Sequence, residues 1–274
     1  MPDLLKKYRS MRDFGDTPEP AGGKPKKTKL PIFVIQKHQA SHLHYDFRLE
    51  MEGVLKSWAV PKGPSYDPAV KRLAMMTEDH PYDYASFEGV IPAGNYGGGN
   101  VIIWDNGTWE FIEPGDDPVK ALQSGKLAFR MFGKKMFGEW ALVRIKGRPG
   151  SKGNEWLLLK HRDEFANPDV DVTELAPLSV ISNLTVDEIG ASKRTWQSNR
   201  PASLSGKGAP TLARKLEAER SKAPAKRPAT KGRASASPPT RSARVPKKAP
   251  SARTRSSSAG SPPAAPPTRR RRPR

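Results

Sequence analysis

The chain has 274 residues and no cysteine, which excludes disulfides and thiolate zinc sites and leaves His, Asp, Glu or Asn for any metal. Its formal net charge of +20 is uneven: residues 201–274 hold 20 Lys and Arg against Glu217 and Glu219, whereas residues 1–200 hold 28 against 26 acidic groups. No apolar run approaches the roughly 20 residues that cross a bilayer, and no signal peptide is visible, so a cytoplasmic protein without membrane contact is expected.

Residues 1–29 form an N-terminal arm expected to pack on or near the active site. Residues 30–165 read as a β domain. Ile32–Gln36 is a short apolar strand, His42–Met51 alternates, and Val54–Val60 follows a Glu52-Gly53 turn. Arg72–Thr77, Asn100–Asp105 and Thr108–Ile112 suit strands, with Asp105-Asn106-Gly107-Thr108 predicting a tight hairpin between the last two. Further strands are expected at Lys126–Met131, Glu139–Lys146 and Glu155–Lys160. Pro118–Ser124 predicts a helix with Asp117 as its cap and Gly125 at its exit. A second helix is expected over Val186–Gln197 within a C-terminal extension, residues 166–200. Thr185 and Glu188 fit a capping box there, and Val186, Ile189 and Trp196 would dock. Many short strands with few short helices predict a mainly β fold, a compact antiparallel barrel or sandwich. From Pro201 the chain turns to Pro, Ala, Ser, Lys and Arg, with little to bury. Residues 201–274 are therefore expected to be a disordered basic tail, with at most a transient helix over Pro210–Arg220.

The chemistry concentrates in one strand. From His42 the pattern has period two: Leu43, Tyr45, Phe47 and Leu49 share one face, and His42, His44, Asp46, Arg48 and Glu50 share the other. Three of the five histidines, His38, His42 and His44, fall within seven residues. His44 and Asp46 lie about 7 Å apart along a strand and can converge on one ion, with Arg48 one step further for a phosphate oxygen. The bland alternative is a solvated polar face with incidental histidines. His38 can complete the ligand set, and His42 competes with His44 because it has the same parity. Such donors suit Mn²⁺, Zn²⁺ or Fe²⁺ rather than Ca²⁺, and such an ion polarises a phosphoryl oxygen and acidifies bound water. His80 and Tyr84 follow a strand whose end can aim them at a site, although a lone loop histidine is more often structural. Lys62 sits at a turn, where a surface lysine is the default and phosphate contact the sharper reading. The glycine-rich run Gly89–Gly99 is no P-loop, since it feeds a strand and lacks the Gly-Lys-Ser/Thr ending. It reads as a tight loop at the rim of the site.

The segments Gln36-Lys37-His38, Leu43–Glu50, Leu55–Pro64, Glu78–Pro81 and Tyr84–Pro92, with Arg12-Asp13-Phe14 and Thr17–Pro20, resemble the 3′-phosphoesterase domain of bacterial DNA ligase D over roughly residues 8–165. The resemblance implies a β-barrel with a polar groove that removes a 3′-phosphate, or a 3′-terminal ribonucleoside and then its phosphate, leaving a 3′-OH. It implies Mn²⁺ as cofactor, with Zn²⁺ or Co²⁺ as substitutes, and His38, His44 and Asp46 as ligands, which favours His44 over His42. Arg48 and His80 are implied as phosphate and transition-state groups, and Tyr84, Gln36, Lys62 and Arg72 as supporting groups. Arg12, Asp13, Glu19 and Glu78 are implied in ribonucleoside removal. No Lys-x-Asp-Gly ligase motif is present and no room remains for a polymerase. The expectation is therefore a stand-alone phosphoesterase acting on DNA 3′ ends, such as a primer–template with a terminal ribonucleotide. A ligase or polymerase and an end-binding protein of end joining would be its partners, and the tail would grip the DNA backbone. The competing reading from another class is a catalytically inactive nucleoid-associated DNA binder. A phosphoesterase acting on RNA ends is a third, weakened by the absence of paired His-x-Ser/Thr motifs.

Overall fold

The computed structural model describes residues 3–22, 30–113, 115, 117–147, 150 and 152–192. Residues 193–274, with Trp196 and the expected tail, lie outside the described residues.

Alternating apolar side chains set the barrel. In β2 (Leu43–Met51) Tyr45, Phe47, Leu49 and Met51 turn inward, and they meet Phe33 and Ile35 of β1 (Ile32–Gln39) and Trp58 and Val60 of β3 (Val54–Val60). β4 (Lys71–Met76), β7 (Gly99–Phe111), β8 (Lys126–Phe132), β9 (Phe137–Arg144) and β10 (Glu155–Lys160) complete the wall. The pairing order is β1-β2-β3-β4-β10-β9-β8-β7, and β7 pairs back onto β1. All these pairs are antiparallel, so the result is a closed eight-stranded barrel that leaves no free edge around its wall. Trp58, Trp104, Trp109, Trp140 and Trp156 fill its core with Phe47, Phe129 and Tyr66.

A second apolar cluster lies on the outer face of β1, β3 and β7. There Ile32, Val34, Leu55, Val101 and Ile103 are covered by Leu5 and Tyr8 of the arm and by Tyr84 and Phe87. The arm carries a short helix, α1 (Lys6–Ser10), and Tyr84 stands in a 3-10 turn over Tyr82–Ser86. β1 is thus apolar on both faces at Ile32–Ile35, because both are covered. Two short strands flank this patch: β5 (His80–Pro81) on β3, and β6 (Gly89–Ile91) on β7.

α2 (Pro118–Ser124) forms as expected, with the Asp117 side chain accepting from Val119 and Lys120 N–H and Gly125 left-handed at φ 93°. α3 spans Val172–Leu175, and α4 (Val186–Ala191) starts with the reciprocal Thr185–Glu188 capping box. Val186 and Ile189 pack against Ile102 of β7. Among the described residues no helix is long and apolar enough to cross a membrane.

The Asp105–Thr108 hairpin is not formed. β7 runs straight through it, because its two sides pair with other strands: Asn100–Thr108 with β1, and Thr108–Phe111 with β8. A register shift at Ile35/Gln36 absorbs the extra residue opposite. Gly107 is needed for close approach and not for a turn, since a Cβ there would run into the Phe132 carbonyl. Asp105 is buried, and its carboxylate accepts N–H groups from Lys134, Lys135 and Met136 at 2.9, 3.1 and 2.8 Å.

Candidate active site

The outer row of β1 changes from Ile32 and Val34 to Gln36 and His38, alongside the polar outer row of β2. Register places Val34 opposite Arg48, Gln36 opposite Asp46 and His38 opposite His44. His38 Nδ1 lies 3.5 Å from Asp46 Oδ2, and His44 Nε2 lies 3.6 Å from Asp46 Oδ1. One donor atom from each of the three falls within 4.8 Å of the others. The remaining imidazole nitrogens are pinned: His38 Nε2 is 2.9 Å from the Gly97 carbonyl, and His44 Nδ1 is 2.9 Å from the His42 carbonyl. A carbonyl only accepts, so those nitrogens carry the hydrogens, and the two lone pairs face Asp46. Imidazoles oriented by carbonyls behind them, converging with a carboxylate, are the donor set a divalent transition metal requires. His42 enters this arrangement through its backbone, while its side chain is exposed. Burial opposes ionisation of Asp46, but the Arg48 guanidinium, ahead of the neighbouring His38 and His44, outweighs it and holds the carboxyl well below the usual range.

Arg48 is buried, and its geometry is fixed on three sides. Nε donates to Gln36 Oε1 at 2.8 Å, Nη1 to Ser57 Oγ at 2.9 Å and Nη2 to Asp46 Oδ2 at 3.1 Å. Gln36 is itself held by donating to the Tyr84 and Phe87 carbonyls. The guanidinium also lies 4.8 Å from the Tyr84 ring centroid. A guanidinium has more donors than these partners consume, so Arg48 keeps donors for a ligand.

His80 reaches the same patch from β5. Its Nδ1 lies 2.9 Å from the Glu78 carbonyl and therefore carries the hydrogen, leaving the Nε2 lone pair to accept from Arg12 Nη2 at 3.2 Å. Burial, followed by the Arg48 and Arg12 charges, holds His80 well below the ordinary histidine value. Arg12 arrives from the arm. It donates to Glu19 at 2.8 Å and to Glu78 at 3.3 Å, and it lies 3.9 Å from the Tyr8 ring centroid. Tyr84 Oη donates to the same Glu19 oxygen at 2.8 Å. The arm thus closes over the barrel through a buried network of alternating charge.

Of the residues singled out in the sequence, His38, His44, Asp46, Arg48, Gln36, His80, Tyr84, Arg12, Glu19 and Glu78 are brought into this linked set. Three stand outside its contacts. Asp13 is exposed and accepts from Gly15 N–H in its own turn. Lys62 is exposed on the turn after β3. Arg72 shares the strand face of Ala74, which lies in the barrel core, and its charge acts on Asp171. Ser57, Tyr8 and the Gly97 carbonyl were not foreseen as site groups. Ser57 had a signal, being a hydroxyl of strand parity opposite Arg48, whereas a backbone carbonyl leaves none.

Residues 36–144 match the model of the DNA ligase D 3′-phosphoesterase domain. The chain is 52% identical over 186 residues to the multifunctional non-homologous end joining protein LigD of Pseudomonas aeruginosa. The barrel is similar to the DNA ligase D 3′-phosphoesterase domain. That alignment covers 66% of this chain and 22% of the relative. The LigD of Mycobacterium bovis is 43% identical over 196 residues, covering 71% of this chain and 24% of that protein. The LigD of Mycolicibacterium smegmatis is 43% identical over 166 residues, covering 59% and 21%. The chain spans less than a quarter of the length of these relatives, and the matched residues 36–144 include His38, His44, Asp46, Arg48 and His80.

Proposed function

We propose that this phosphoesterase-family domain heals DNA 3′ ends for double-strand break repair by end joining. It would remove a 3′-phosphate, or a 3′-terminal ribonucleoside and then its phosphate, and leave a 3′-OH. Mn²⁺ is the proposed cofactor, and a ligase acting with an end-binding protein would seal the product. The observation that carries this reading is the convergence of His38, His44 and Asp46 within 4.8 Å beside the buried guanidinium of Arg48.

A divalent cation held by His38 Nδ1, His44 Nε2 and Asp46 supplies positive charge and Lewis acidity toward a phosphoryl oxygen. Arg48 offers its remaining donors to the same phosphoryl group from a position already fixed by Gln36, Ser57 and Asp46, so little reorganisation accompanies binding. His80 is neutral beside two guanidinium groups. An arriving phosphate opposes those charges and raises the proton affinity of His80, which then becomes a further donor. Arg12, Glu19 and Glu78 form the roof, which suits a role in recognising the terminal ribonucleoside, and Asp13 is proposed with them on the resemblance alone.

The test is a 5′-labelled primer–template ending in a 3′-phosphate, incubated with Mn²⁺ or with chelator, comparing wild type with His44→Ala. Wild type is expected to yield the 3′-OH only with metal, and the variant to lose at least about 100-fold in rate. Undiminished turnover by His44→Ala, or by wild type in chelator, would overturn the reading.

A further inference from the structure

The glycine-rich segment after β6 places one large side chain beside the site for which the proposed reaction has no use. Tyr96 is 48% exposed and stands between two residues that are tied down. Asn95 donates from Nδ2 to Asp16 of the arm at 2.8 Å, and the Gly97 carbonyl accepts from His38 Nε2 at 2.9 Å. Two turns fix the segment itself, Asn95 N–H to the Pro92 carbonyl and Gly98 N–H to the Asn95 carbonyl. Gly97 is left-handed at φ 75°, and a Cβ on it would stand 3.8 Å from the His38 ring, so this backbone lies directly against a candidate metal ligand. The Tyr96 ring centroid is 5.3 Å from the Arg12 guanidinium, whose distance to the Tyr8 ring is 3.9 Å. The phenol also lies within electrostatic reach of Glu78, Asp46 and Arg48.

A ring supported by a guanidinium, with nearly half its surface in water, offers an apolar surface to a ligand at little entropic cost. Its two anchors hold it at a set distance from the metal donors, as a stacking surface must be held. Nucleic acid bases stack on such rings without regard to sequence, and an end-processing site needs that tolerance. We infer that Tyr96 is the stacking platform for the terminal base of the DNA 3′ end, placing its 3′ substituent over His38, His44 and Asp46. This rests on the function proposed above and names the part of the substrate that the site grips besides the phosphate.

The experiment compares wild type, Tyr96→Ala and Tyr96→Phe on two oligonucleotides ending in a 3′-phosphate, one with a normal terminal nucleotide and one with a terminal abasic sugar. Tyr96→Ala is expected to raise KM on the normal end by roughly 5- to 100-fold, to leave kcat within about twofold, and to match wild type on the abasic end. Tyr96→Phe, which keeps the ring, is expected to behave as wild type on both. Equal losses by Tyr96→Ala on the two ends would show that the ring only braces the arm, and a Tyr96→Phe defect as large as that of alanine would assign the effect to the hydroxyl; either overturns the inference. Independently of turnover, an oligonucleotide with 2-aminopurine at its 3′ terminus should emit less when bound to wild type or Tyr96→Phe than to Tyr96→Ala. If no substrate is turned over, the proposed function fails while this emission difference still decides whether Tyr96 stacks on the terminal base.

Discussion

His80 shows how one side chain senses the whole site. Its imidazole is enclosed by Tyr8 and Tyr84, with ring centroids at 5.1 and 4.8 Å, and faces the Arg12 guanidinium through Nε2. Burial and the Arg48 and Arg12 charges hold it well below its ordinary value of 6.5 in the folded protein. Between that depressed value and 6.5 the unfolded chain binds the proton and the folded protein does not. Stability therefore rises with pH through this window, and His80's share of it is lost as pH falls below about 6.5. One such group contributes a slope of up to about 1.4 kcal/mol per pH unit. Urea unfolding in chelator at pH 7, 6 and 5 should show a steeper loss of stability for wild type than for His80→Gln. Identical slopes would mean that His80 takes up its proton alike in the folded and unfolded states, against the depressed value.

At the scale of elements, β7 makes the sharpest demand on sequence. A methyl group at Gly107 meets the Phe132 and Gly133 backbone where β7 pairs with β8, and neither strand can move without disturbing β1 or β9. Gly107→Ala is expected to cost ~1–3 kcal/mol in denaturant unfolding, as overpacking does. If Gly107 instead sat in an open turn, the same substitution would cost much less. The Asn-Gly pair misled the reading because turn chemistry is local while strand partners are not: two halves of β7 with separate neighbours look like one hairpin. Alternation in β2 and β10 and the capping groups Asp117, Thr185 and Glu188 were legible because their causes lie within a few residues. α1 was not, since a five-residue helix without a side-chain cap exists only because Leu5 and Tyr8 are buried elsewhere. In the site, the parity of His44, Asp46 and Arg48 was written in β2. The register that sets His38 opposite His44 and the reach of Arg12 to His80 across 68 positions depend on tertiary packing.

At the scale of the whole molecule, the proposed function divides charge between catalysis and attraction. The cations at the site, Arg12 and Arg48, are buried and paired with Glu19, Glu78 and Asp46, so they contribute little long-range field. The balance of residues 1–200 is close to neutral, whereas residues 201–274, outside the described residues, carry 20 Lys and Arg against two acidic groups. Attraction to a polyanion should therefore come from the C-terminal segment and chemistry from the barrel. Each phosphate neutralised on duplex DNA steepens the dependence of log K on log salt by about 0.9. Removing residues 201–274 should flatten that slope and weaken binding most at low salt. Turnover of a short 3′-phosphate oligonucleotide at saturating concentration should stay within about twofold of wild type, because no group of the His38–Asp46–Arg48 constellation is lost. Fluorescence anisotropy across a salt series, run beside single-turnover kinetics, separates the two quantities. A truncated protein that kept the full slope would place the DNA-attracting charge in residues 1–200, whose near balance of 28 basic and 26 acidic residues argues against it.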